Sequence, residues 1–335
     1  MKIAISAFEK SANLHLRYLL PHLKYKPIGI FDKSLGDPLV DLQELAVMGF
    51  VDAAKKLPFF LQLKKEMVKL AKEADKILLI DASGFNLPLA KAIKKEYPNK
   101  EIIYYILPQA WAWRRGRIKI IEKYVDKALS ILPFEKKYYS PNFNIKYVGH
   151  PLLDEIEKFK DTPTKSDKVV FMPGSRRAEI QSLMPIFKEV RKAIDKEALL
   201  VVPQNFDLAI YGDTSDFIIT HDAHKALYEA EFGFICSGTA TLEASLIGTP
   251  LALCYIAKPL DYFLAKQFAK IDRAGLANIM LGDMHPEFLQ ESVTKENLLQ
   301  AYKNANPEEF LQKSKELRRY LAHGSAVEAA REINA

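Results

Sequence analysis

Short apolar runs alternate along the chain with longer stretches in which apolar residues recur every three or four positions. The short, often β-branched runs predict buried strands, and the three-to-four-residue period predicts amphipathic helices. The predicted strands of the first half are 2–7, 27–31, 76–80, 101–106, 127–132 and 145–149, with a helix near 11–23. Strands that alternate with helices are typical of a parallel sheet with crossover helices.

The same alternation resumes after a polar stretch, residues 159–168, which has a proline and no apolar period and so is typical of a linker. Beyond it the predicted strands are 168–172, 198–202, 216–220, 232–236 and 250–255. We therefore expect an α/β protein with two Rossmann-like, doubly wound parallel sheets, in domains 1–160 and 168–323. The two domains are expected to face a cleft, because ligands of open α/β sheets bind at the carboxyl ends of the strands.

The C-terminal third is predicted to be helical. Thr294 is typical of a helix cap, and Asn306 followed by Pro307 and two glutamates predicts a second helix start. Gly324 ends that helix. We expect the remaining segment, 324–335, to form a helix that packs back on the N-terminal domain.

Composition narrows the class of partner. The chain has 335 residues, a formal net charge of +6 and no long run of like charges, which disfavours nucleic acid and favours anionic small molecules or anionic lipid. Cys236 and Cys254 lie in apolar contexts without a CxxC motif, so we expect buried thiols, no structural zinc and a reducing, cytosolic compartment. No segment has the ~20 uninterrupted apolar residues of a membrane span. The oligomeric state stays open, a homo-oligomer included.

The turns after the first and third predicted strands carry polar residues. The first reads SAFEKSAN and lacks the GxGxxG glycines, so a nicotinamide cofactor is not expected. Its Glu9 and Ser11 are candidate ligand contacts, although Ser11 or Asn13 is equally suited to capping the helix. Asp81 directly follows 76–80, where a rigidly held carboxylate is suited to act as a general base or to cap the next turn.

Two turns of the second half are suited to binding a diphosphate. In VVFMPGSRRAEI, a strand is followed by Gly174 and Ser175 and by a helix start near Arg176. Backbone N–H groups at a helix N-terminus attract anions, and arginine adds forked donors. The segment FICSGTATLEAS repeats the design. Its candidate contacts are Ser237, Gly238, Thr239 and Thr241, with Glu243 one turn later as an acceptor for a ribose diol or as a complement to the helix dipole.

Aromatic residues lie among basic residues in three segments. Residues 55–70 contain Phe59, Phe60 and Leu63, and residues 258–270 contain Tyr262 and Phe263. Each is an ordinary amphipathic helix or a surface that docks on an anionic membrane. The third segment, YYILPQAWAWRRGRIKII, follows a strand, so we expect Trp111 and Trp113 at the rim of the cleft. On the following helix Ile118 and Ile121 face the core, while Arg114, Arg115 and Arg117 point towards anions.

Five segments occur in a fixed order along the chain: YILPQAWAWRRGRIKII, ILPFEKKYY, YVGHPLLDEI, PGSRRAEI and SGTATLEASLIGTP. Together they resemble the lipid-A-disaccharide synthases, glycosyltransferases of the GT-B architecture. The resemblance runs from KIAISAFEKSA to the final helix.

The resemblance implies an inverting transfer. A 2,3-diacylglucosamine moves from its UDP donor to the 6-hydroxyl of 2,3-diacylglucosamine 1-phosphate, giving the lipid A disaccharide 1-phosphate and UDP. It further implies no metal or other cofactor, and a cytoplasmic protein associated peripherally with the inner membrane. The alternative is another UDP-sugar enzyme of this architecture, a peptidoglycan-type N-acetylglucosaminyltransferase or a UDP-N-acetylglucosamine 2-epimerase.

The resemblance also assigns roles to residues. It implies that Asp81 in IDASGFN is the general base. It implies that Arg176 and Glu179 of the PGSRRAE segment lie near the donor diphosphate. It further implies that SGTATLE with Glu243 forms the UDP-ribose region and that Asn278 faces the donor. Acceptor contacts are then expected from five residues, and lipid contacts from five others. The acceptor set is Glu9, Ser11, Trp111, Arg114 and Arg115, and the lipid set is Phe59, Phe60, Leu63, Tyr262 and Phe263.

Two segments depart from the family pattern. The first turn usually reads Gly-Glu-x-Ser-Gly-Asp, and here Phe8, Ala12 and Asn13 replace both glycines and the aspartate. Gly84 replaces the second aspartate of the Asp81 motif.

Overall fold

The computed structural model describes residues 1–41, 57–112, 114–204, 206–257 and 273–335. They form two compact units, of which the first is Met1–Asp154 with Leu321–Ala335 and the second is Glu155–Tyr320. Each unit contains one parallel sheet with helices between its strands. The predicted α/β class is confirmed.

The sheet of the first unit has the order β3-β2-β1-β4-β5-β6-β7. Its strands are β1 (Lys2–Ala7), β2 (Lys26–Phe31), β3 (Val40–Asp41), β4 (Lys76–Ile80), β5 (Glu101–Tyr105), β6 (Lys127–Ser130) and β7 (Ile145–Tyr147). Its helices are α1 (Lys10–Leu19), α2 (Leu57–Ala71), α3 (Ser83–Glu96) and α4 (Gly116–Tyr124), and α5 (Leu152–Glu155) lies at the boundary between the units.

The sheet of the second unit has the order β10-β9-β8-β11-β12-β13. Its strands are β8 (Lys168–Met172), β9 (Glu197–Val201), β10 (Ile218–Thr220), β11 (Phe232–Cys236), β12 (Leu251–Tyr255) and β13 (Glu287–Leu289). The helices are α6 (Arg177–Lys192), α7 (Ala223–Glu229), α8 (Thr239–Ile247), α9 (Leu276–Leu281), α10 (Lys295–Lys303) and α11 (Pro307–Leu321), and α12 (Ala326–Asn334) returns to the first unit.

Alternation along β1 divides the core of the first unit between the two faces of the sheet. Ile3 and Ile5 pack with α1 on one face, and Ala4 packs with α2 and α3 on the other. Helix α12 joins the α1 face, where Ala329, Ala330 and Ile333 are buried. Helices α1 and α3 therefore lie on opposite faces, although they follow the adjacent strands β1 and β4.

Local differences from the sequence prediction have physical causes. The helix expected near 11–23 ends at Leu19 and continues as a short 3₁₀ turn that contains Pro21, which cannot donate the next helical hydrogen bond. Strands β3 and β13 have two and three residues, too few for a periodic pattern. The predicted cap Thr294 is confirmed, because its side chain accepts a hydrogen bond from the N–H of Asn297.

The predicted linker, residues 159–168, contains a buried lysine near its start. Lys160 is buried in the second unit, where its backbone N–H donates to Ile247 O and its Nζ donates to Ala230 O at 2.5 Å. Burial lowers the pKa of Lys160 to about 7. The second unit begins at Glu155, ahead of this anchored lysine.

Trp111 belongs to the core and not to an exposed rim, which corrects the sequence-based expectation. It is 3% exposed, it packs against Phe134 and Tyr138, and its indole N–H donates to Glu135 Oε1 at 3.2 Å. A buried carboxyl group thus satisfies the one polar atom of the indole, so the ring can be buried at this position.

Burial favours the protonated form of Glu135, the partner of the Trp111 indole. Ser130 Oγ lies 2.5 Å from Glu135 Oε2 and 2.9 Å from Leu132 O, but a hydroxyl has one hydrogen. Both contacts are satisfied when Glu135 carries the proton and donates to Ser130, which donates to Leu132. Burial is the largest influence on this carboxyl group and raises the pKa of Glu135 to about 7.

Glu135→Gln is expected to flatten the pH dependence of stability. The pKa of Glu135 is raised from 4.5 to about 7 on folding, so the folded state binds the proton more tightly and stability falls as the pH rises from about 4.5 to 7. Glutamine keeps the donor and cannot ionise. The melting temperature of the variant should therefore change less between pH 5 and pH 8 than that of the parent. Glu96→Gln, on the surface, is the control, and equal pH slopes for parent and Glu135→Gln would contradict the assignment.

Candidate active site

Four of the predicted site segments follow strands at the points where strand order reverses. In the first sheet the reversal lies between β1 and β4, which are followed by Glu9 and by Asp81. In the second it lies between β8 and β11, which are followed by the Gly174 turn and by Ser237. Crossover connections leave such a point towards opposite faces of the sheet, so a crevice forms at the carboxyl ends of the strands. Each unit therefore carries two of the predicted segments beside its own crevice.

Asp81 has the surroundings that a general base needs. Its side chain is half-buried, and burial raises the pKa of the carboxyl group against opposing effects of the Ala82 N–H and of His15. Asp81 and Ala82 both have positive φ, 48° and 42°, a conformation that non-glycine residues rarely adopt. The strand therefore ends in a tight left-handed turn at this carboxylate.

The turn after β1 is held by Asn13. Its amide donates to Ala7 O at 2.7 Å and to Glu9 O at 2.8 Å, and its Oδ1 accepts from the N–H of Asp32 at 2.7 Å. Asn13 thus links the ends of β1 and β2, and it does not cap α1. Glu9 is the N-cap residue of α1, and both Glu9 and Ser11 are exposed to solvent beside the crevice.

The three arginines that follow Trp111 have different surroundings. Arg114 and Arg115 are exposed, and Arg115 lies over the ring of Tyr138, 5.8 Å from its centre. Arg117 Nη1 donates to Ser83 Oγ at 2.8 Å. Since Ser83 is two residues from Asp81, Arg117 is the arginine with a contact to the Asp81 turn, although no sequence pattern ranks it above its neighbours. Trp113 lies outside the described residues.

The predicted lipid contacts do not share one environment. Leu63 is 1% exposed and packs in the core, because it shares the buried stripe of α2 with Met67 and Ala71, so its predicted lipid contact is corrected. Phe59 and Phe60 are half-buried. Phe60 lies 5.6 Å from the ring of Phe8, which replaces a family glycine and stacks on Phe85 at 4.8 Å. Tyr262 and Phe263 lie outside the described residues.

The turn after β8 is built around Gly174, whose φ is 105°. A Cβ at this position would lie 2.6 Å from Glu179 Oε2, so only glycine fits. Glu179 is buried and does not offer its carboxylate outward, because it pairs with the Arg176 guanidinium at 2.5 Å and accepts the Arg176 backbone N–H at 3.2 Å. Arg176 itself has 78% of its side chain exposed beside the exposed Ser175.

The turn after β11 leaves two predicted contacts exposed and uses one, Thr241, internally. Gly238 and Thr239 are exposed at the start of α8, and Ser237 is half-buried. Thr241 is buried, and its hydroxyl donates to Gly238 O at 2.8 Å, so it stabilises the turn.

Glu243 already has a protein partner. Its Oε2 lies 3.5 Å from Nε2 of His224 on α7, and the hydrogen bond with Glu243 raises the pKa of His224. Nothing in the spacing of the sequence predicted this pair.

Asn278 has a structural role that corrects its predicted contact with the donor. It is 2% exposed, its amide donates to His285 O at 2.8 Å and Glu287 Oε1 at 2.7 Å, and its Oδ1 accepts the N–H groups of Met284 and His285. All its hydrogen-bonding capacity is used to join α9 to the segment that leads into β13.

Among the residues that the structure describes, no group of three histidine, cysteine or carboxylate side chains is arranged to hold a metal ion. In the same residues, no helix has both the length and the apolar character to cross a membrane.

Comparison with known proteins identifies the family. The model of the family described as "Lipid-A-disaccharide synthetase" matches residues 3–333. The chain is 47% identical to the lipid-A-disaccharide synthase of Helicobacter acinonychis over 355 aligned positions, which cover 99% of this chain and 97% of the relative. It is 43% identical to that of Campylobacter jejuni, with 98% of each chain covered.

Solved structures share the fold at low identity. The calicheamicin glycosyltransferase CalG4 matches with a TM-score of 0.63 and 12% identity over 99% of this chain and 97% of its own. MurG of Acinetobacter baumannii matches with a TM-score of 0.59 and 13% identity, covering 99% of both chains, and a UDP-N-acetylglucosamine 2-epimerase of Listeria monocytogenes with 0.60 and 14%, covering 99% and 94%.

These neighbours confirm the GT-B fold class but do not separate a synthase from the alternatives, because transferases and an epimerase share the fold. The near-full-length sequence relatives do separate them, and they do not favour the peptidoglycan-type transferase or the epimerase. The chain therefore belongs to the lipid-A-disaccharide synthase family and is a glycosyltransferase.

Proposed function

We propose that this protein transfers 2,3-diacylglucosamine from its UDP donor to the 6-hydroxyl of 2,3-diacylglucosamine 1-phosphate. The observation that carries the proposal is the half-buried Asp81 carboxylate at the strand-order reversal of the first unit, in a chain of this family. Asp81 removes the proton of the acceptor hydroxyl. The oxygen then attacks the anomeric carbon, the bond from that carbon to the diphosphate breaks, and UDP leaves with inversion.

The donor diphosphate is proposed to bind the second unit. Helices α6 and α8 begin beside the same crevice, and N–H groups in the first turn of a helix have no partner within the helix. Arg176, held in place by the buried Glu179, supplies positive charge, and Ser175, Ser237 and Thr239 supply hydroxyl groups. This arrangement can neutralise the leaving diphosphate, and metal independence stays a prediction.

Peripheral association with an anionic membrane surface, expected in the cytoplasm at the inner membrane, is the third part of the proposal. It is supported by the solvent-facing stripe of α2, where Leu61 is 44% exposed and is followed at helical spacing by the exposed Lys65 and Lys69, with Lys72 in the turn after the helix. An apolar residue next to lysines is typical of a helix that lies on anionic lipid.

Asp81→Asn is expected to slow turnover by about 100-fold or more, the scale of a lost general base, and to leave donor binding intact. The measurement is UDP release with diacylated donor and acceptor, with calorimetry for UDP binding. Asp37→Asn, on the surface, is the matched control. Near-parental turnover by Asp81→Asn would refute the mechanism, and UDP release without acceptor would indicate an epimerase.

Arg176→Ala is expected to weaken UDP binding by about 1.5–3 kcal/mol, the usual scale of a hydrogen bond to a charged group. Calorimetry with UDP measures this directly. Arg319→Ala, an exposed arginine on α11, controls for the loss of one positive charge. Equal affinity for UDP in Arg176→Ala and the parent would remove Arg176 from the donor site.

Lys65→Gln/Lys69→Gln is expected to weaken binding to anionic vesicles by about 1 kcal/mol for each lysine, or roughly 30-fold together. Vesicle flotation with phosphatidylglycerol and with neutral lipid measures the change. Lys192→Gln/Lys303→Gln removes two exposed charges from the second unit as a matched control. Equal flotation of the two double variants would argue against α2 as the membrane-facing helix.

A further inference from the structure

The backbone carbonyl of Asp81 accepts two hydrogen bonds from buried side chains. Tyr104 OH donates to it at 2.6 Å from strand β5, and Asn86 Nδ2 donates to it at 2.9 Å from helix α3. Asn86 and Tyr104 are both fully buried. A carbonyl oxygen has two lone pairs, so both acceptor sites of Asp81 O are occupied.

Asn86 is itself held by the strands on both sides of the reversal. Its Oδ1 accepts from Ser6 Oγ of β1 at 2.6 Å, and its Nδ2 also donates to Ile80 O of β4 at 3.1 Å. The carbonyl partners can only accept, so the orientation of the amide group is determined. Asn86 therefore joins the ends of β1 and β4 and fixes the peptide that follows Ile80.

The conformation that these bonds hold is unfavourable in isolation. Asp81 and Ala82 are consecutive non-glycine residues with positive φ, and such residues persist only where their surroundings over-determine them. Without the bonds to its carbonyl, the Asp81 peptide would be free to rotate, and the direction of the carboxylate would change with it.

We infer that Asn86 and Tyr104 are positioning residues for the proposed base, and that they aim the Asp81 carboxylate by clamping its backbone carbonyl. Neither side chain needs to touch substrate. The inference rests on the proposed function, since it gives Asp81 the role of base. It predicts that the effect of either residue on turnover passes through the Asp81 carboxylate.

A double-mutant cycle on the full-length protein tests this dependence. Tyr104→Phe should lower kcat by about five- to tenfold, as expected for one lost hydrogen bond, leave the KM for the UDP donor unchanged, and move the acid limb of the pH profile of kcat/KM. In the Asp81→Asn background the same substitution should have no further effect on turnover. Asn86→Ala, if it folds, should behave in the same way.

Tyr105→Phe is the matched control. Tyr105 is the next residue of β5 and is equally buried, and its hydroxyl bonds to Ser325, away from Asp81. This variant should turn over at nearly the parental rate and with the parental pH profile, although it also loses a buried hydroxyl.

The outcomes separate the two proposals. If Tyr104→Phe turned over like the parent, or if it slowed the parent and the Asp81→Asn variant by the same factor, the positioning role would be overturned while Asp81 remained the base. Near-parental turnover by Asp81→Asn alone would instead overturn the proposed function.

Discussion

Where two neighbouring parallel strands are followed by helices on opposite faces of the sheet, neither connection covers the space between the carboxyl ends of the two strands. This constraint acts at β1 and β4 in the first unit and at β8 and β11 in the second. It opens a crevice in each unit without the need for any special side chain there. The sequence then determines which groups follow the two strands. In the first unit one of them is the carboxylate of Asp81, and in the second they are glycine-containing turns that each begin a helix.

Three buried asparagines hold irregular segments of the chain, two of them beside the crevice of the first unit. Asn13 joins β1 to β2, Asn86 joins β1 to β4, and Asn278 joins α9 to the approach to β13. A side-chain amide has donors and acceptors, so it can pair with the carbonyl and N–H groups that irregular backbone leaves without partners. The family resemblance implies a donor contact for Asn278, but in the structure its donors and acceptors are all used within the protein.

The strands could be predicted because buried parallel strands are short apolar runs, as in 76–80 and 232–236. The order of the strands in each sheet, and with it the points of reversal, comes from the structure alone. The motifs next to the strands, with Asp81 and Gly174, followed from their position at strand ends. The burial and the contact partners of individual side chains could not be predicted in this way. The lipid contact predicted for Leu63 overlooks its helical spacing with Met67 and Ala71, which places it on the buried stripe of α2. A position at the rim of the cleft is predicted for Trp111, but its indole has a buried carboxyl partner 24 residues away. Such a partner depends on a contact between distant segments, which a local pattern does not encode.

Helix α12 has a consequence for biosynthesis. Its Ala329, Ala330 and Ile333 belong to the same core cluster as Ile3 and Ile5 of β1, so more than 300 residues separate parts of one hydrophobic core. During translation the N-terminal sheet emerges first, and α1 covers part of the face that holds Ile3 and Ile5, yet the part that α12 covers stays open until the ribosome has also produced the entire second unit. The second unit is contiguous in sequence and can fold as soon as it emerges. The order in which the units reach their native state is therefore expected to be the reverse of their order along the messenger.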